Sequence, residues 1–137
     1  MKRQRNKFPP GSPDEWFSHA MSDLSLARIG ADSDEVLPEQ ICFHAQQAAE
    51  KDLKAILLRK GIEFPLIHDL EELLEIARQG KIQLPEWAEN IATLTPYAVE
   101  TRYPGHWEDF SEADVTEALD LAQRIVEWAK AIVSEEK

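Results

Sequence analysis

The stretch that decides the fold is residues 43–57, which read FHAQQAAEKDLKAIL. On a helical wheel, this stretch and the two residues before it divide into an apolar arc rich in alanine and a polar face. The polar face carries His44, Gln47, Lys51 and Lys54. Two cations, an amide and an imidazole form a set of hydrogen-bond donors that suits a phosphate or a nucleotide. The sequence therefore predicts an amphipathic helix with one face for packing and one candidate face for binding.

Two residues of the apolar arc differ in chemistry from the rest of it. Asp52 lies inside the arc, and we expect its carboxylate to reach toward a cation such as Arg59. Cys42 also lies on the arc, which favours a buried structural thiol over a reactive one. Because a single cysteine cannot form an internal disulfide, its presence favours a cytoplasmic setting.

Size and charge bound the class of protein. A chain of 137 residues corresponds to one domain, and 43% hydrophobic with 30% charged residues is normal for a globular protein. The net charge of −11 argues against a broad electrostatic surface for nucleic acid, but it leaves room for one local basic pocket. No apolar run approaches the roughly 20 residues of a membrane span, so we expect no membrane association.

The first residues carry an unusual share of the positive charge. Lys2, Arg3, Arg5 and Lys7 supply four of the 15 cations. We interpret residues 1–11 as a flexible basic arm ahead of a single helical domain at 12–137. The arm is either a solubilising terminus or a segment that touches RNA or an acidic partner.

Start and stop signals predict five helical stretches, and no strand-type alternation is present. The first stretch is predicted to begin at Ser12 and to end at Gly30, and the second to span 38–60. The third is predicted to begin at Asp69, with a capping box that Glu72 completes.

The last two stretches complete the prediction of fold class. The fourth begins near Pro85 and is predicted to kink or split at Pro96, since proline removes a donor from the helical ladder. The fifth opens with a capping signal formed by Ser111 and Asp114. Together these helices predict an all-α, up-and-down bundle of four or five helices.

The segment from Arg102 to His106 is the main candidate for chemistry. No metal-ligand spacing, phosphate-binding glycine loop or nucleophile elbow is present, so we expect neither a metal site nor another cofactor. An imidazole can move a proton to or from a ribose 2′-hydroxyl, and a guanidinium can stabilise charge on a phosphate. The alternative is a loop arginine paired with a carboxylate of the bundle, and an exposed histidine.

His68 and the two lysines have a structural and a functional interpretation as well. Asp69 can cap the third helix while His68 packs at its start, or His68 can face the same groove as His44 and Lys51. Lys51 and Lys54 can be ligand contacts or solvated surface charges.

These pieces occur in an order that resembles the HEPN family of small helical domains (higher eukaryotes and prokaryotes nucleotide-binding). The likeness extends from about Trp16 to Val133. It rests on an aromatic-rich first helix, the 43–57 block, the tetrapeptide 67–70 ahead of a leucine-rich helix, residues 98–105, and the core of the last helix at 117–122.

The resemblance implies a bundle that forms homodimers and is often paired with a minimal nucleotidyltransferase in a toxin–antitoxin-like system. Many family members are ribonucleases in which four to six residues separate an arginine from a histidine. Here three residues separate Arg102 from His106, and Tyr103 follows the arginine. This departure favours a nucleotide- or substrate-binding domain.

The first hypothesis is therefore a HEPN protein that binds a nucleotide or RNA. Arg102 would bind phosphate, and Tyr103 or Trp107 would stack on a base. Four further residues would support them: His44, Lys51, Lys54 and His68. The alternatives are a metal-independent endoribonuclease toxin that uses Arg102 and His106, and a non-catalytic protein-interaction module.

Overall fold

The computed structural model describes residues 8–98 and 111–135. These residues form α1 (Pro13–Ala31), α2 (Pro38–Arg59), α3 (Leu70–Gln79), a 3₁₀ helix (Glu86–Ala98) and α4 (Glu112–Val133). No strand occurs within the described residues. The prediction of an all-α helical bundle is therefore confirmed.

Side-chain contacts give the directions of the long helices. Along α1, Trp16 lies against Lys54 of α2, and Asp23 lies against His44, so these two helices run antiparallel. Cys42 Sγ lies 3.8 Å from the carbonyl oxygen of Asp114, close to the start of both α2 and α4. Near the other end of both helices, Arg59 donates to a carbonyl of residue 135, so α2 and α4 run in the same direction.

The helix starts follow from local hydrogen bonds. The hydroxyl of Ser12 accepts from the backbone N–H of Glu15, and the predicted capping box of Ser111 with Asp114 is formed. The start of α3 differs from the prediction, because the Asp69 carboxylate accepts from the N–H of Glu71 and not from that of Glu72. Asp69 therefore caps α3 through a hydrogen bond to the residue two positions further on, and the predicted bond to the residue three positions further on is not the one formed.

The predicted split of the helix at Pro96 is wrong. The 3₁₀ helix continues through Pro96 without interruption. Proline fixes φ near −65°, which lies inside the range of a 3₁₀ helix. The ring therefore removes one donor without forcing the backbone to turn.

The central element of the bundle is α2. Its apolar arc is buried, as predicted, against α1 and α4. Burial extends beyond that arc, because Gln46, Glu50 and Lys54 are also buried. The polar face of α2 is thus partly an interior surface, covered by α1 and by the 61–69 connection.

Candidate functional site

The carboxylate of Asp23 on α1 contacts two partly exposed side chains of the polar face of α2. Asp23 Oδ1 lies 3.1 Å from His44 Nδ1, and Asp23 Oδ2 accepts from Lys51 Nζ at 2.6 Å. His44 and Lys51 keep about a quarter of their side-chain surface exposed, at 27% and 24%. We name these three residues the Asp23 cluster. It presents an imidazole and an ammonium group to solvent, held in place by one shared acid.

A second carboxylate, that of the buried Glu50, contacts three further polar side chains. Glu50 Oε2 accepts from Lys54 Nζ at 2.9 Å and lies 2.9 Å from His68 Nδ1. Its other oxygen, Oε1, accepts from Gln46 Nε2 at 3.1 Å. We name these four residues the Glu50 cluster. Glu50 and Lys54 are only 5% and 4% exposed, whereas His68 is 76% exposed.

Lys54 is held from several sides. Its ammonium group lies 5.3 Å from the ring centroid of Trp16 and 5.9 Å from that of Phe64. Aromatic faces attract a cation, and Glu50 neutralises the charge. The interpretation of Lys54 as a solvated surface charge is therefore wrong, and its position suits support of Glu50 better than contact with a ligand.

Gln47 extends the hydrogen bonding of the Glu50 cluster by one residue. Gln47 Nε2 donates to Gln46 Oε1 at 2.7 Å, and Gln46 donates in turn to Glu50. Gln47 stands between His44 and Lys51 at helical spacing. The side chain of Gln47 therefore lies between the Asp23 cluster and the buried Glu50 cluster along α2.

His68 lies at the end of the bundle where the 3₁₀ helix ends. The N–H of Leu70 donates to Thr95 Oγ1 at 3.2 Å, which ties the start of α3 to the last turn of the 3₁₀ helix. Arg102, Tyr103 and His106 lie outside the described residues. The structure therefore places His44 and Lys51 on Asp23 and places Lys54 and His68 on Glu50, and the roles proposed for the other three stay predictions.

The pKa values of Tyr97 and Cys42 describe the surroundings at the end of the bundle where the 3₁₀ helix ends. Burial, with smaller contributions from Cys42, Asp114 and Glu117, raises the pKa of Tyr97 to about 12. Burial likewise raises the pKa of the Cys42 thiol to about 12, with Asp114 and Glu39 adding to the shift. Cys42 is therefore an unreactive core thiol at neutral pH, as predicted from its place on the helix.

Asp52 is the exception among the acids of α2. It is fully buried, and neither carboxylate oxygen has a hydrogen-bond partner among the described residues. Burial, with a smaller repulsion from Asp23, raises its pKa well above the ordinary value. The predicted contact with Arg59 is wrong, because Arg59 lies two turns away and donates to residue 135. Burial thus favours the protonated form of the Asp52 carboxyl group in the core.

An apolar pocket adjoins the Asp23 cluster. It has a volume of about 150 Å³. Its lining is Leu26, Ile29, Gly30, Val36, Gln40, Ile41 and His44. Ile29 in this lining and Leu37, which follows Val36 along the chain, are 67% and 58% exposed, which is high for large apolar side chains. His44 belongs to both features, so the apolar corner and the polar surface are contiguous.

Sequence reasoning missed Asp23 and Glu50, the two carboxylates that hold the site together. A signal for Asp23 existed, since it interrupts the buried α1 stripe of Ala20, Leu24 and Ala27 at core spacing. Glu50 gave only the weaker signal of an acid four residues before Lys54.

No group of three or more potential metal ligands occurs within residues 8–98 and 111–135. No described helix is long and apolar enough to span a membrane.

The fold and this site define a small all-α bundle built around one central helix with a polar surface. A family model described as HEPN domain matches residues 13–132, and the chain belongs to the HEPN domain family. The resemblance found in the sequence is thereby confirmed.

Two solved structures share the fold. The chain is 28% identical to TT1696 from Thermus thermophilus, with a TM-score of 0.76 over 89% of this chain and 98% of that one. It is 27% identical to ST0689, described as an archaeal HEPN homologue, with a TM-score of 0.70 over 90% of this chain and 98% of that one. The chain is also 25% identical over 135 residues to a Methanocaldococcus jannaschii protein named "Putative toxin MJ1304". The aligned region covers 88% of this chain and 87% of that protein.

Proposed function

We propose that this protein is the HEPN component of a toxin–antitoxin-like pair and that it binds a nucleotide or RNA. Family membership and similarity to a protein whose name describes it as a toxin support the role. The observation that carries the binding proposal is the Asp23 cluster, in which one acid holds an imidazole and an ammonium group at the surface.

Charge balance defines how the site would bind an anion. Asp23 offsets the charge of Lys51, so this ion pair by itself supplies no excess positive charge. Arg102, from the segment between Ala98 and Ser111, supplies the additional positive charge in this proposal, and Tyr103 stacks on a base. Lys54 acts indirectly, because it keeps Glu50 in place.

Binding assays test this proposal directly. Fluorescence anisotropy with labelled RNA and with nucleotides would compare the wild type with Arg102→Ala and Lys51→Ala. Each variant loses a charge-assisted contact, so we expect about tenfold to hundredfold weaker binding. Lys130→Ala is the matched control, since Lys130 is an exposed lysine in the last turn of α4. Equal affinity of all four proteins would exclude the assignment.

Assembly with partners is a further part of the proposal. We propose that a second copy of this chain covers the exposed apolar residues beside the pocket, with Ile29 at the centre. Light scattering after size-exclusion chromatography would measure the mass of the wild type and of Ile29→Asp. Leu66→Asp is the control, because Leu66 is 98% exposed and lies outside this pocket. A monomeric wild type would exclude the homodimer.

The nucleotidyltransferase partner is proposed from the family resemblance, in a cytoplasmic setting. Co-expression with a nucleotidyltransferase encoded next to this gene tests it. Recovery of a stoichiometric complex supports the pair, and absence of such a neighbour or of a complex counts against it.

The second candidate function is a metal-independent endoribonuclease that uses Arg102 and His106. Similarity to the protein named as a toxin favours it. Incubation of wild type and His106→Ala with labelled RNA in EDTA decides the question, since cleavage by the wild type alone would assign the activity. If the protein neither binds nor cleaves RNA or nucleotides, the remaining candidate is a protein-interaction module.

A further inference from the structure

A pocket between the 3₁₀ helix and α4 contains two indole rings that pack on each other. Trp87 and Trp128 make an edge-to-face contact, with ring centroids 6.1 Å apart and ring planes at 87°. In this geometry the ring that offers its edge keeps both of its faces clear of the other ring. We name this feature the tryptophan pocket, and its volume is about 580 Å³. Its lining is Trp87, Asp120, Gln123, Arg124, Glu127 and Trp128.

The charges that line the tryptophan pocket leave one carboxylate uncompensated. Arg124 Nε lies 3.0 Å from Asp120 Oδ2, so these two charges offset each other. Glu127 Oε1 accepts a hydrogen bond from the neutral amide of Gln123 at 3.1 Å. Within residues 8–98 and 111–135, Glu127 forms no ion pair. The pocket therefore carries a net negative charge beside its aromatic faces.

The amide of Gln123 leaves a further acceptor unused. Its Nε2 donates to Glu127, while its Oε1 is buried and has no hydrogen-bond partner among the described residues. A buried acceptor without a donor costs free energy. Aromatic faces, a carboxylate and an amide oxygen all interact favourably with a cationic hydrogen-bond donor. The tryptophan pocket therefore suits a cation, and Glu127 disfavours a phosphate there.

An arginine side chain of a protein matches this combination better than a lysine or a small cation does. A guanidinium group is planar, so it can stack on an indole face while its N–H groups bond a carboxylate. Both rings are half-buried and the three charged residues of the lining are exposed, so the pocket opens to solvent. A small cation would leave the rings in contact with water, whereas a protein segment can cover them. Tryptophan and arginine are also among the residues that contribute most at protein interfaces.

We propose that the tryptophan pocket is a docking site for a partner protein, which places an arginine side chain against the indole rings and bonds it to Glu127. The lining of this pocket shares no residue with the Asp23 cluster. The inference is therefore independent of the proposed binding of a nucleotide or RNA, and the two can fail separately.

Nuclear magnetic resonance of the isotope-labelled full chain tests the docking site, because each tryptophan gives its own indole N–H signal. The probe is the peptide acetyl-Gly-Leu-Arg-Leu-Gly-amide, in which the leucines stand in for apolar neighbours of a docked arginine. The same peptide with citrulline is the neutral control, since citrulline keeps the shape of arginine without its charge. Agmatine, a small guanidinium cation, represents a small-molecule ligand. All titrations use one ionic strength, because salt screens exposed charges.

We expect the arginine peptide to shift the indole signals of Trp87 and Trp128, with a dissociation constant on the order of 1 mM. Agmatine should bind several times more weakly, and the citrulline peptide should leave both signals in place. Glu127→Gln should weaken binding of the arginine peptide about two- to fivefold, because it removes an exposed and screened charge contact. Glu117→Gln is the matched control, since it removes the same charge from an exposed position of α4 outside the pocket. Trp128→Leu should abolish the shift of Trp87.

Several outcomes would overturn the inference. Equal affinity of wild type and Glu127→Gln, or equal binding of the citrulline peptide, would show that the pocket does not recognise a guanidinium group. Agmatine that binds as tightly as the peptide would assign the pocket to a small cation. If the four cations of residues 1–7 are changed to glutamine and the signals of Trp87 and Trp128 move without any peptide, the occupant is this chain's own basic arm and not a partner.

Discussion

Glu50 and Asp52 are two buried acids on the same helix with opposite surroundings. Glu50 accepts from Gln46 and Lys54 and pairs with His68. Asp52 has no hydrogen-bond partner among the described residues, and burial raises its pKa well above the usual value. Since successive helical residues are about 100° apart, two positions turn the side chain to the opposite side of α2.

The comparison shows that partners, more than burial, decide the state of an acid. Both side chains are removed from water, which disfavours the charged form of each. Two hydrogen-bond donors and a nearby imidazole compensate Glu50, so its charge can serve a site. Asp52 has no such partner among the described residues, and burial together with repulsion from Asp23 favours its neutral form. One helix therefore carries an organised charged cluster on one side and an uncompensated carboxyl group on the other.

The largest expected effect comes from breaking the compensated side. Glu50→Met leaves the buried ammonium group of Lys54 without its carboxylate, and we expect a loss of about 3–5 kcal/mol in the free energy of unfolding. Urea denaturation would measure it. The double variant with Lys54→Met should recover most of the loss. A single variant within about 1 kcal/mol of the wild type would show that the pair is not coupled as described.

The opposite sign is expected on the uncompensated side. Asp52→Ala removes a buried carboxyl group that lacks partners, so we expect the free energy of unfolding at neutral pH to rise by about 1–3 kcal/mol. Alanine also has a higher helix propensity than aspartate. The same denaturation assay measures the gain. A clear loss of stability would mean that Asp52 makes an interaction that compensates its burial.

Asp52 should also make the stability of the protein depend on pH. Its folded pKa is raised above 3.8, so the folded state keeps a proton that the unfolded state releases. Unfolding therefore releases a proton above pH 3.8, and stability falls as pH rises until the folded pKa is passed. The loss is at most about 1.4 kcal/mol per pH unit for one group.

The measurement for this pH dependence compares wild type with Asp52→Asn. The difference in stability between them should change with pH above 3.8 in favour of the variant. A difference that stays constant from acidic to neutral pH would show that Asp52 ionises alike in both states.

The smallest effect is expected for an exposed pair of the same spacing. Arg124 Nε lies 3.0 Å from Asp120 Oδ2, and both side chains are at least half exposed. Solvent screens such a pair, so Asp120→Ala should cost about 0.5 kcal/mol or less. This variant is the matched control for Glu50 and Lys54, which have the same separation along a helix. A cost similar to that of Glu50→Met would remove burial as the reason for the larger effect.

Much of the fold was predictable because helical signals are local. Ser12, Ser111 and Asp114 marked helix starts through side chains that bond within one turn. The break predicted at Pro96 was wrong for an equally local reason, since the rule assumed an α-helix and the segment is a 3₁₀ helix. Whether a segment forms an α-helix or a 3₁₀ helix depends on how the whole segment packs, and a single proline in the sequence does not indicate which one forms.

The candidate site was predictable only in part. Helical spacing identified His44, Lys51 and Lys54 as one face of α2. One of the two interpretations of His68 placed it near this face, and in the structure it belongs to the Glu50 cluster. Spacing did not show that Lys54 is buried under Trp16 and Phe64.

The sequence by itself determined the long helices, because periodicity and capping act within a few residues along the chain, and the order of its motifs indicated the family. Only the tertiary structure decided which acid is compensated. Asp23 reaches Lys51 from another helix, and His68 reaches Glu50 from a connecting loop. Hydrogen bonds of this kind depend on how elements distant in sequence pack, and packing also decides that Asp52 meets no such partner among the described residues.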